Sequence, residues 1–106
     1  AGSKVILVLG HTKCGAVKGA CDGAKLGNLT GMLDKIMPAV DAVAEPSENR
    51  NSSNAGFVQA VVEKNVELTM ENIKTMSPVL NEMIQNGDVL LVGGCYDVET
   101  GKVDFN

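Results

Sequence analysis

The sequence predicts an α/β fold, a small and mostly parallel sheet flanked by helices. Two short apolar runs rich in β-branched residues stand near opposite ends of the 106-residue chain: Val5 to Leu9, and "DVLLVG" from Asp88 to Gly93. Unbroken runs without polar alternation are what strands covered on both faces of a parallel sheet require. Between them apolar residues recur at helical spacing, and strands separated by helices point to the α/β class.

Lys4–Gly10 reads as the first strand, ended by glycine. Gly15–Cys21 follows as a helix with Ala16, Val17 and Ala20 on one side, and Asp22–Asn28 is a turn-rich break. Leu29–Ala44 carries Leu29, Met32, Leu33, Ile36, Val40 and Val43 at helical spacing, with Pro38 set to kink or divide it. Glu45–Asn54 is a polar loop holding the only Arg; Ser52, Ser53 or Asn54 would cap the next helix. That helix, Ala55–Met76, is long, with Val58, Val61, Val62, Val66, Leu68, Met70, Ile73 and Met76 as its apolar side. Ser77-Pro78 opens another, running to Gln85 and closed by Asn86-Gly87. A short strand, Lys102–Phe105, follows a turn at Thr100-Gly101. Residues 1–106 make one domain. Two buried strands and one edge strand are a small sheet for this much helix, which fits a minimal domain or one whose amino-terminal part is missing.

Composition excludes several functions. Charged residues make up 21% and hydrophobic ones 44%, as in ordinary globular proteins, and net charge is −4 with the basic residues scattered. Nucleic acid binding needs a basic face, and stacking needs more than Phe57, Tyr96 and Phe105. No apolar run reaches the length of a membrane span, and the start carries no leader pattern. Cys14, Cys21 and Cys95, odd in number and irregular in spacing, suit a reducing compartment, the cytoplasm or an organelle interior.

The chemistry concentrates where the first strand ends. In open α/β sheets sites gather at the carboxyl ends of strands. There "GHTKCG" places His11 and Cys14 with two residues between them, and glycines on either side let the backbone turn closely. Imidazole and thiolate are preferred Zn²⁺ ligands. Cys14 also precedes a helix, whose amino-terminal field favours a thiolate. Spacing alone fits either a metal pair or a partly buried imidazole beside a core thiol.

Beyond spacing, "VILVLGHTKCGAV" resembles the zinc-binding segment of β-class carbonic anhydrases. "GNLTGMLDKIMPAV" and "EKNVELTMENIKTMSPVLNEMIQNGDVLLVGGCYDVETGKVDF" extend the likeness over essentially the whole chain, as the carboxyl-terminal portion of that family. The resemblance implies reversible hydration of CO2 to bicarbonate on Zn²⁺, with His11 and Cys14 as two of three protein ligands. It also implies a homo-oligomer, a dimer or larger. The family's other cysteine ligand and its Asp–Arg pair lie in a C-x-D-S-R motif that this sequence does not contain. No catalytic pair is therefore expected within these residues. Relatives of the same architecture hydrolyse CS2 or COS, and a non-catalytic association module is a further reading.

The remaining candidates have plainer readings. Cys95 would be a small buried thiol, with a replacement third ligand as the alternative, and Cys21 a buried helix residue. Tyr96-Asp97 suits turn and packing roles. Lys13 and Lys18 flank the site as solvated charges, with attraction of bicarbonate as the alternative, the methionines fill the core, and Glu63–Lys74 gives a solvated helix face.

Overall fold

A computed structural model describes residues 4–25 and 27–106; Leu26, within the expected break at 22–28, lies outside them. The elements are β1 (Val5–His11), α1 (Gly15–Cys21), a 3₁₀ turn (Gly27–Leu29), α2 (Thr30–Asp34), α3 (Met37–Ala42), α4 (Ala55–Met76), α5 (Pro78–Gln85), β2 (Leu90–Tyr96) and β3 (Val103–Phe105). The sheet runs β1-β2-β3. β1 pairs with β2 in parallel, from Val5 opposite Leu90 to His11 opposite Tyr96. β3 returns antiparallel on the other side of β2, with Val103 opposite Tyr96.

The helix boundaries follow local chemistry. Asn54 caps α4 by accepting a hydrogen bond from the Phe57 N–H at 3.1 Å. Ser77 caps α5 in the same way through Leu80, and Pro78 occupies the first turn, where a missing N–H costs nothing. Asn86 closes α5, followed by Gly87 at φ +81°. Pro38 divides the 29–44 stretch as anticipated: it sits in the first turn of α3, after a break at Lys35-Ile36.

The core lies between α4 and the shorter helices. Phe57, Val58, Val61 and Val62 of α4 pack with Val17, Ala20 and Cys21 of α1 and with Leu33, Ile36, Ala39, Val40 and Val43. Beyond Val66, α4 has no fully buried residue, and α5 has none at all.

The sheet corrects one expectation. β1 is not covered on both faces. Val5, Leu7 and Leu9 are 57%, 46% and 48% exposed, alternating with half-buried neighbours. α4 packs on the other face of β1 and β2. A continuous apolar run looks the same in sequence whether one face or two are covered. β2 also runs on to Tyr96 through Gly93-Gly94 rather than stopping at Gly93, because β1 and β3 both continue to pair with it there. Methionine burial is a second correction. Met32 lies on the surface and Met76 is 82% exposed, since the helical stripe outruns the core beneath it.

Glycine sets how closely α4 approaches. A Cβ on Gly10 would lie 2.9 Å from Val66 Cγ2 and 3.0 Å from Val62 Cγ1. Valine side chains rooted in a packed helix have little room to yield. Gly10→Ala should therefore destabilise the fold by about 1–3 kcal/mol through overpacking, read as a fall in the urea midpoint. An unchanged midpoint would show that α4 can shift outward freely.

Candidate metal site

His11 is the last residue of β1, and Cys14 is the amino-terminal cap residue of α1. The turn between them is fastened to β2. The Thr12 N–H donates to the Tyr96 carbonyl at 2.9 Å, and the Val98 N–H donates to Thr12 Oγ1 at 3.1 Å. Lys13 makes the reversal at φ +57°, a left-handed conformation rare outside glycine. The Lys18 N–H closes the first turn of α1 onto the Cys14 carbonyl at 3.0 Å. With both ends tied, the turn holds the two side chains on one cavity of about 270 Å³, whose walls include Val8, Val17, Val62 and Val66.

The imidazole is held by the backbone next to it. His11 Nδ1 lies 2.8 Å from the Thr12 carbonyl oxygen. A carbonyl only accepts, so Nδ1 carries the proton and Nε2 keeps its lone pair. A backbone carbonyl that fixes the tautomer in this way is the usual outer-shell arrangement for a ligating histidine.

Cys95 does not join this pair. It lies opposite Gly10, one residue out of phase with the His11–Tyr96 pairing, and packs against the core beneath α4. Its Sγ accepts from Gln59 Nε2 at 3.5 Å. Cys95 is half-buried rather than buried, so the expected buried thiol is corrected to one at the edge of the core, and it forms no metal cluster with His11 and Cys14. Cys21 is buried in the core. Burial, reinforced by the adjacent charge of Asp22, raises its thiol pKa and keeps it neutral. Among the described residues no cluster of three or more His, Cys, Asp or Glu side chains is placed to hold a metal ion. The chain thus presents two compatible donors, not a closed tetrahedral set.

The carbonic anhydrase family model matches residues 1–103. The chain belongs to the carbonic anhydrase family. A carbonic anhydrase from Pseudomonas aeruginosa is 31% identical over 99 residues, an alignment covering 93% of this chain and 44% of that relative. The β-carbonic anhydrase of Coccomyxa, solved with acetazolamide, superposes with a TM-score of 0.79 at 27% identity, over 96% of this chain and 46% of that one. A tetrameric β-carbonic anhydrase from Sordaria macrospora has the same fold, with a TM-score of 0.74 at 20% identity over 96% and 51% of the two chains. The fold is that of the β class. This carbonic anhydrase chain spans less than half the length of the curated relatives it matches.

Three other features surround the site. Asp97 shapes the turn after β2, its carboxylate accepting from the Glu99 N–H at 2.9 Å, as its turn role requires. Lys13 pairs with Glu99 at the surface. Asp22 ties the end of α1 to the loop before α4, accepting from the Ser52 N–H at 2.7 Å. Hydrogen bonding from Ser52, by its side chain and then its backbone, holds the Asp22 carboxyl below the ordinary carboxylate range. The unfolded carboxyl then binds protons more readily than the folded one. The stabilisation is present above the ordinary range and is lost as pH falls through that range towards the depressed value. Asp22→Asn should flatten this acid-side loss, read as urea midpoints at neutral pH and near about pH 3. A parent protein whose acid-side slope matches that of the variant would remove the bond's role.

Proposed function

We propose that the complete protein catalyses reversible hydration of CO2 to bicarbonate, with His11 and Cys14 holding two positions on a zinc ion. One observation carries this reading: His11, with Nε2 left free by the Nδ1–Thr12 bond, shares a mostly apolar cavity with Cys14. Membership of the carbonic anhydrase family supports the reaction class. When bound, zinc supplies a Lewis acid that brings the pKa of a coordinated water to about 7. The remaining protein ligand comes from outside these 106 residues, where the family's C-x-D-S-R segment would also bring its Asp–Arg pair.

The chain's own residues orient and exclude. The Thr12 carbonyl holds the Nδ1 proton and so fixes the ring. The bonds from Thr12 to β2 fix the distance the turn can span. The valines of β1, α1 and α4 keep the inner wall apolar, which suits a substrate without net charge or dipole and disfavours retention of a charged product. The uncovered face of β1, at the edge of the sheet, supports assembly into a dimer or larger oligomer, and the free thiols of Cys14, Cys21 and Cys95 suit a reducing interior, the cytoplasm or an organelle.

Elemental analysis of the complete protein tests the reading. About one zinc per chain is expected, with CO2 hydration rising with pH through the titration of the coordinated water. Turnover of CS2 or COS without CO2 hydration would keep the fold and overturn the substrate. Metal-free protein that hydrates CO2 at full rate would overturn the site.

A further inference from the structure

A second cavity borders the β1–α1 turn. It measures about 470 Å³ and opens between that turn and the start of α4. Lys13, Lys18, Thr12 and Ser52 line it, with Val58 among its apolar contacts, and none of its lining residues is acidic. Its two charged side chains are therefore both cationic, in a chain with 13 acidic and 9 basic residues. Its volume falls in the range of about 300–1,000 Å³ typical of small-molecule sites.

We propose that this cavity binds a small molecule through an oxyanion, a phosphate or carboxylate group, held between the ammonium groups of Lys13 and Lys18. Each part has its own support. Lys13 already holds a carboxylate, that of Glu99, but the pair is exposed on both sides and open to exchange. Among the described residues Lys18 has no ion-pair partner. Thr12 Oγ1 accepts from the Val98 N–H, which leaves its own hydrogen to donate. The left-handed backbone of Lys13 is a local conformational cost at the rim of the cavity, and such costs gather at binding sites. The space exceeds what a bare ion needs, and Val58 offers an apolar surface to a compact organic body.

The test is a titration of isotope-labelled, metal-free complete protein with inorganic phosphate, and separately with malonate, at constant ionic strength set with chloride. Saturable amide shifts confined to Thr12, Lys13, Lys18 and Ser52 are expected. Lys18→Gln should weaken binding about tenfold or more, and Glu99→Gln, which releases Lys13, should tighten it. Response to phosphate alone assigns a phosphate ligand, and response to malonate alone a carboxylate. Absence of saturable shifts with either probe, equal shifts with chloride, or affinity unchanged in well-folded Lys18→Gln overturns the proposal. Because no metal is present, the outcome is independent of the hydration chemistry.

Discussion

Replacing Cys14 by Ser in the complete protein should reduce both zinc content and CO2 hydration by more than about a hundredfold. Substituting a mere outer-shell partner of a metal ligand already costs about 10–100-fold in metal affinity or activity, and the loss of one of the proposed ligands should exceed that. Serine keeps the size of the side chain and removes the thiolate donor, so the fold should survive. Cys14 is half-buried and only flanks the core cluster, which limits the structural damage. His11→Ala should have a comparable effect, since it removes the donor whose orientation Thr12 fixes. Wild-type zinc stoichiometry in Cys14→Ser, with unaltered turnover, would show that this sulfur does not bind the ion.

The second large effect is structural. Arg50→Ala should cost about 2–4 kcal/mol, because several backbone carbonyls lose charge-assisted hydrogen bonds at once. Arg50 Nη1 donates to the Val43 carbonyl at 2.7 Å and to the Pro46 carbonyl at 3.0 Å, while Nη2 donates to the Val40 carbonyl at 2.9 Å. Val40 and Val43 belong to the end of α3, where carbonyls have no partner within the helix. The same guanidinium stands 4.6 Å from the ring centre of Phe57, one of the most deeply buried residues of the core. Arg50→Lys should recover only part of the loss, since a point-like ammonium cannot span three acceptors in a planar fork. Denaturant unfolding measures both variants; equal stability of Arg50→Ala and wild type would rule out the clamp.

Arg50 also marks where sequence reasoning stopped. A lone arginine in "EPSENRNSSN" reads as a solvated loop charge, because nothing local signals the carbonyls it reaches in α3. Asn54, Ser77 and Asn86-Gly87 were legible, since a cap acts within three or four residues of itself. His11 and Cys14 were legible as a candidate pair for a similar reason: the spacing, the flanking glycines and the preceding strand are all local. The fate of Cys95 was not, because strand register decides which way its sulfur points, and register is a tertiary property. The open face of β1 was hidden for the opposite reason, since Val5 to Leu9 would be apolar under either covering. The lysine-lined cavity arises from two segments about forty residues apart, Thr12–Lys18 and Ser52–Val58, whose meeting no local pattern announces.

The uneven burial along α4 has a mechanical consequence. Its buried side chains end at Val66, while the following turns and all of α5 rest lightly on the rest of the molecule. Thermal opening should therefore begin at that distal end, whose amide protons would trade with solvent while those near Phe57 and Val61 stay shielded. The histidine–cysteine turn sits beside the shielded half, so routine fraying of the helical tail leaves its geometry undisturbed.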